Sequence, residues 1–393
     1  MKINWILLGL LSGPLSVSVG LAAEKPSQGI RKIKDVVIYS DARFHCAFPS
    51  VEQRPDGELL VAFRRAPERR LLGEKRTFHT DANSQLVLVR SADEGETWTN
   101  APQLLYAHAF GGSQDPGLLQ LRNGTLLCSS YGWAWLRPEG VAQLKPPVIK
   151  AHLDGFTFLG GYLLRSADGG RTWQGPIYPP HVLPETGLDP YGVPLPAFNR
   201  GAMIEGKSGR IFWVVAAHES IAPRKVSTQL LASDDKGLTW THLGVVARDE
   251  KASFTETSIY ETPRGELVAF MRTENLDDAA CLTRSTDGGR TFQPWRSMGF
   301  QGHPLQAMRL PDNRVLLVYG YRHKPFGIRA RVLNPECTDF TAAPEVVLRD
   351  DGGSVDLGYP WATMIAKDRA LVVYYFNRAD GPRTIEGTVV QLE

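Results

Sequence analysis

The stretch SADEGETW at residues 91–98 follows the pattern S-x-D-x-G-x-T-(W/F), and that pattern returns at Ser166–Trp173, Ser233–Trp240 and Ser285–Phe292. Each copy reads as the tip of a β-hairpin. The Asp carboxylate accepts backbone N–H bonds of its own turn, the Gly takes a positive φ, and the aromatic residue packs into the sheet below. These tasks are structural. Four copies with the same Asp-to-Gly offset make this a repeat protein, of the solenoid or propeller kind.

A second repeat sets the number of units. Turn triplets at Pro55–Gly57, Arg122–Gly124 and Lys207–Gly209 lead into the β-rich runs Leu59–Phe63, Leu126–Ser130 and Ile211–Val215. Three more, at Pro263–Gly265, Pro311–Asn313 and Lys367–Arg369, lead into Leu267–Met271, Val315–Tyr319 and Leu371–Tyr375. The spacing suits four-stranded blades with variable loops, so the expected fold is an all-β, six-bladed β-propeller. Asn334–Phe340 reads as a decayed copy of the first pattern. The strand-like stretch Asp35–Tyr39 is expected to pair with the last blade and close the ring, which removes open sheet edges.

Composition agrees with a large β domain: 38 Gly and 27 Pro among 393 residues, 42% hydrophobic residues, and no long amphipathic helical pattern. Lys2, the apolar Trp5–Leu11 and a small-residue stretch ending at Ala22 read as a secretory signal. The expectation is a signal peptide over 1–22 and one propeller domain over 23–393, exported to a periplasmic or extracellular location. The apolar run is too short for a membrane span. Cys46, Cys128, Cys281 and Cys337 stand singly and read as core residues, with disulfides permitted but not required. A net charge of +2 gives no support for nucleic-acid binding. The nine His show no HxxxH pair or His/carboxylate cluster along the chain, so neither metal nor cofactor is expected.

Candidate functional residues are those that the repeat does not require. With the six units in register on the turn residue, the positions nine and ten residues earlier fall where each inner strand approaches the axis. They hold Ala47/Phe48, Gln114/Asp115, Asn199/Arg200, Thr255/Glu256, His303/Pro304 and Tyr359/Pro360. Charged and polar groups there require a wet cavity or one another. A second ring, seven residues after the turn, holds Arg64, Tyr131 and Arg272, with Arg322 two positions further on in blade 5. Several guanidiniums at one mouth favour a carboxylate-bearing ligand, which Arg grips at two points.

At this point the chain resembles the sialidase (neuraminidase) superfamily of propellers with Asp-box, or BNR, repeats. The resemblance spans essentially the whole mature chain. Thr255-Glu256 followed by Met271-Arg272 is similar to the family's blade-4 glutamate and substrate-carboxylate arginine. Gly358-Tyr359 followed by Tyr374 is similar to the segment with its tyrosine nucleophile, and Asp81 falls near its acid/base aspartate. The resemblance implies an exo-acting glycoside hydrolase that releases a terminal acidic sugar, sialic acid or a related one, from a glycoconjugate with retention. Tyr359 would be the nucleophile, Glu256 its base and Asp81 the acid/base. Arg272 would hold the sugar carboxylate with Arg322 or Arg329, Arg64 would reach the carboxylate or a ring hydroxyl, and Asp115 and Arg200 would contact substrate.

One departure stands out: Ala47-Phe48-Pro49 occupies the place of the family's Arg-Ile-Pro, so the first carboxylate-binding arginine is missing. Arg43, His45 and Arg200 are the nearby candidates to replace it. The structural alternatives are an ion pair for Glu256 and Arg272, a packed strand residue for Tyr359, a strand start for Asp81, and a turn cap for Asp115. Trp133 and Trp135 are open to packing or to sugar stacking. Two other functions share the pattern: a glycan-binding propeller without turnover, and a hydrolase or lyase for another acidic polysaccharide.

Overall fold

The computed structural model of the protein describes residue 1 and residues 29–74, 79–150, 155–379 and 381–393; the expected signal segment lies outside them except for Met1. Their strands form six four-stranded antiparallel sheets, each taken in order from a continuous piece of chain apart from the last. The last sheet runs from Gly358 to Leu392 and takes Ile30–Tyr39 as its outermost strand, paired along Thr384–Leu392. The ring therefore closes as the sequence predicts, with a closing strand longer than Asp35–Tyr39.

All four Asp-boxes lie between the third and fourth strands of blades 1 to 4. In the second, Ser166 Oγ accepts from Gly170 N at 2.8 Å and Asp168 accepts from Thr172 N at 2.9 Å. Gly170 sits at φ +77°, which needs no Cβ, and its carbonyl accepts from the Trp173 indole. The decayed copy occupies the same connection in blade 5, where Asp339 accepts from the Asn334 N–H. Large apolar clusters join neighbouring blades: one unites blades 1 and 6, another blades 4 and 5. Second strands such as Leu59–Phe63 are buried on both faces, which explains their continuous apolar runs. The four cysteines are buried and free.

One local feature positions the site. On the inner strand of blade 4, pairing jumps from Thr255–Arg272 to Ser258–Phe270, leaving one extra residue. The same jump occurs at Ala47–Arg64 to Ser50–Ala62, Gln114–Tyr131 to Gly117–Ser129, and Gly358–Tyr375 to Trp361–Val373. These are β-bulges, and each puts a non-glycine residue at positive φ: Phe48 at 59°, Asp115 at 29°, Glu256 at 27° and Tyr359 at 53°. Such conformations cost on the order of 1–3 kcal/mol each, and concentrate where side chains must be aimed for function.

Several Asp-box carboxylates are held well below the ordinary range. Asp93 is lowered to about 2, first by the Thr97 hydroxyl and then by the Thr97 N–H. An acid whose folded pKa is depressed stabilises the fold above its unfolded pKa near ~3.9 and loses that contribution as pH falls through the folded value. The thermal midpoint should therefore drop steeply between about pH 4 and pH 2, and Asp93→Asn should flatten that limb in a pH series of melting curves.

Candidate active site

Tyr359, Glu256 and Arg272 converge although 103 residues separate the first two. The Tyr359 hydroxyl donates to Glu256 Oε1 at 2.6 Å, and Arg272 Nη1 donates to Glu256 Oε2 at 2.5 Å and to Tyr359 Oη at 2.9 Å. The bulges of blades 4 and 6 bring the first two together, and Arg272 arrives as the strand partner of Thr255. Burial opposes ionisation of Glu256, yet Arg272 and the Tyr359 hydroxyl hold it at about 2. Burial, then the Glu256 carboxylate, push the Tyr359 phenol well above its ordinary value. The pair is therefore a phenol hydrogen-bonded to a carboxylate, with the proton on the tyrosine. Arg272 Nε is buried and has no hydrogen-bond partner among the described residues.

Arg322 belongs to this group. Its guanidinium lies 5.3 Å from the Tyr359 ring centroid and donates to the Leu357 carbonyl and to Tyr375 Oη. Arg329 does not: it donates to the carbonyls of Ile328, Pro325 and Arg349 and pairs with Glu345 at 3.4 Å. Of the two blade-5 candidates, Arg322 is the one beside Tyr359. The blade-6 partner of the bulge is likewise Tyr375, whereas Tyr374 turns into the blade core beside Arg349 and Thr388.

Arg64 and Arg200 depart from the expected substrate contacts. Arg64 is 0% exposed and faces His45 Nδ1 at 3.3 Å. Arg200 is buried beneath the site, 4.8 Å from the Tyr359 ring centroid, and donates to the carbonyls of Pro49 and Tyr359. Arg43 is committed to Asp41, and His45 is 1% exposed. None of the three candidates thus replaces the missing arginine. The Phe48 ring instead packs 4.7 Å from the Tyr359 ring, filling that side with an apolar surface.

Asp81 also departs from expectation. Arg69 grips its carboxylate at 2.8 and 3.0 Å, Asn83 N–H adds a third bond, and the residue is 5% exposed. Burial is outweighed by Arg69 and Asn83, and its pKa stays below the usual value. No hydrogen bond links it to Tyr359 or Glu256 among the described residues. Asp115 has the opposite character. Burial and the neighbouring Glu256 carboxylate raise it to about 6, its Oδ2 accepts from Tyr131 at 2.8 Å, and its Oδ1 has no partner among the described residues.

Sequence reasoning found no His/carboxylate cluster because its members are far apart in the chain. Asp356 accepts from His79 Nε2 at 2.7 Å and lies 3.4 Å from His45 Nε2; the three offer ligating atoms within 4.8 Å of one another. A cavity of about 160 Å³ adjoins Glu256 and Arg272, and Tyr131, Trp133, Phe158 and Phe198 line it. Trp133 therefore faces a cavity, while Trp135 is exposed outside it.

Asp115 offers a direct stability test. A carboxyl whose folded pKa is raised destabilises the fold as pH rises through the window from ~3.9 to the folded value. At 1.36 kcal/mol per unit, Asp115→Asn should stabilise by roughly 1–3 kcal/mol at pH 8 and by little at pH 4, as read from urea unfolding at both pH values.

The BNR repeat-like domain family matches residues 148–367. No curated protein matches the sequence. A crystal structure of a protein of unknown function from Dyadobacter fermentans is 61% identical, covers 93% of this chain and all of its own, and superposes with a TM-score of 0.91. Similar at the level of fold are the NanB sialidase of Streptococcus pneumoniae, with 12% identity, 91% and 70% coverage and a TM-score of 0.61, and the α-L-arabinanase of Penicillium chrysogenum. The latter was solved with arabinobiose and shows 14% identity, 92% and 98% coverage and a TM-score of 0.61. With more than half of its length matched, the chain belongs to the BNR repeat-like domain family and carries the propeller fold seen in sialidases and in this arabinanase.

Proposed function

We propose that the protein is an exo-acting retaining glycoside hydrolase that removes a terminal carboxylate-bearing sugar, sialic acid or a related acid, with Tyr359 as nucleophile. The observation that carries this reading is the Tyr359–Glu256 hydrogen bond of 2.6 Å under the shared Arg272 guanidinium. At an anomeric carbon that bears a carboxylate, an anionic nucleophile is repelled, whereas a neutral phenol is not. As the phenol oxygen bonds to that carbon, its proton passes to Glu256, and Arg272 offsets the charge that develops on the oxygen. The proton moves only with bond formation, which fits a phenol held well above its ordinary pKa beside a carboxylate held at about 2.

Arg272 and Arg322 support an anionic sugar, since two guanidiniums beside the nucleophile serve a carboxylate better than a neutral ring. The clamp has two arms, because Ala47 and Phe48 put no cation on the third side. The aromatic cavity beside Glu256 supports a glycan ligand, whose C–H faces pack on aromatic rings. An exported location belongs to the same proposal and rests on residues 1–22.

The test is fluorophore release from the 4-methylumbelliferyl α-ketoside of sialic acid by residues 23–393 and by Tyr359→Phe. Turnover by the parent with a loss of ~10³-fold or more in the variant is expected; equal turnover in both would remove Tyr359 from the mechanism. Arg322→Ala should raise KM about 10- to 100-fold, the worth of one charge-assisted hydrogen bond, with a smaller effect on kcat. An unchanged KM would take Arg322 out of the carboxylate clamp.

A further inference from the structure

We infer that His79, held by Asp356, is the acid/base residue that exchanges a proton with the leaving oxygen; this rests on the proposed hydrolase reading and assigns it a residue. Its side chain is 46% exposed, in contrast to the other members of the cluster. Nε2 is bound to Asp356 Oδ1 at 2.7 Å, so Nε2 carries a proton and Nδ1 is left as the exchanging nitrogen. No hydrogen-bond partner occupies Nδ1 among the described residues. Asp356 is itself fixed by Arg383 Nε at 2.8 Å and by the Tyr375 hydroxyl at 3.1 Å. Gln114 donates to the His79 carbonyl and ties its backbone to blade 2.

The imidazole and the nucleophile share a packing partner. Phe48 packs edge-on to both rings, with centroids 5.1 Å from His79 and 4.7 Å from Tyr359, so the dyad and the phenol flank one aromatic wall. Tyr375 joins them a second time, bonded to Asp356 and packed 5.9 Å from the Tyr359 ring. Two of the alternatives, Asp81 and His303, are less able to donate a proton, and the third, Asp115, is 2% exposed. Asp81 is locked by Arg69 as an anion. His303 is 4% exposed and sits 3.1 Å from Asp278.

The three-residue cluster also has the makeup of a cation site, but its hydrogen bonds point the other way. Arg64 can only donate, so its approach to His45 Nδ1 makes that nitrogen the acceptor and leaves the proton on Nε2, the nitrogen that faces Asp356. Arg383 already supplies a cation to Asp356 Oδ2.

The step balances as follows. The Tyr359 oxygen forms a bond to the anomeric carbon and gives its proton to Glu256; the bond from that carbon to the aglycone oxygen breaks, and His79 Nδ1–H protonates the departing oxygen. In the second half, neutral His79 takes a proton from water, whose oxygen bonds to the carbon. The Tyr359 oxygen departs and recovers its proton from Glu256.

Leaving-group dependence separates this role from a structural one. The parent, His79→Ala, Asp81→Asn and Asp115→Asn are compared on the 4-methylumbelliferyl and the methyl α-ketosides of sialic acid, with folding checked by circular dichroism. His79→Ala should lose about 10²–10⁴-fold in kcat/KM on the methyl ketoside and far less on the aryl ketoside, whose leaving group needs little protonation. Azide should restore its turnover of the aryl ketoside and yield the glycosyl azide. Asp356→Asn, a positioning change, should lower kcat on the methyl ketoside with KM little altered. Equal losses on both substrates, or a leaving-group dependence that appears in Asp81→Asn or Asp115→Asn instead, would overturn the assignment while leaving the hydrolase reading intact. So would parent activity that a chelator abolishes and Zn²⁺ restores. A parent inactive on both ketosides would overturn the assignment and the acidic-ketoside reading together.

Discussion

One extra residue in the inner strand, inserted at the same place in four of the six blades, is the constraint on which the site depends. An unbroken inner strand would alternate its side chains between the two inter-blade cores. The bulge breaks that alternation once in each of those four blades and puts Phe48, Asp115, Glu256 and Tyr359 at positive φ. Their positive φ values are unfavourable in isolation, and the packed ring of blades holds them. The same irregularity sets three members of the second ring, since Arg64, Tyr131 and Arg272 are the cross-strand partners at the bulges, and in blade 6 that place falls to Tyr375.

Charge at the centre is balanced in layers. Arg200 lies fully buried below Tyr359, its guanidinium against the faces of Tyr359 and Trp361, and contributes positive potential to Glu256 and Asp115. Arg272 and Arg322 stand beside the phenol. Arg64 and Arg329 have the same side chain and neighbouring register but serve backbone carbonyls, a histidine or a glutamate. Arg64 and Arg329 are thereby committed away from the phenol, whereas Arg272 and Arg322 keep their guanidiniums next to it. Asp81 shows the same commitment for a carboxylate, because Arg69 binds it at two points.

Asp356 organises the opposite flank. Lying just ahead of the blade-6 inner strand, it gathers His45 and His79 from blade 1, Tyr375 from its own blade and Arg383 from the following connection. Blades 1 and 6 are also joined through the apolar cluster that contains Phe48, Tyr359 and Tyr375. The seam between the first and last blades thus carries both packing and polar contacts at the edge of the site.

The propeller was legible in the sequence because its signals are local. A turn Gly, an Asp accepting from its own loop and an apolar second strand each act within eight or so residues, and their recurrence counts the blades. Tyr359, Glu256 and Arg272 were legible as candidates for the same reason: the bulge falls nine or ten residues ahead of the third residue of a local turn. Side-chain commitment was not, since whether Asp81 meets Arg69, Arg329 meets Glu345, or His79 meets Asp356 depends on contacts between residues up to 277 positions apart. Sequence alone determined the architecture and the ring of candidate residues, because turns and strands are fixed by short-range sterics and hydrogen bonding. Only the tertiary structure decided which of those residues come together and which are committed to other partners, because burial and ion pairing are settled when the blades close on one another.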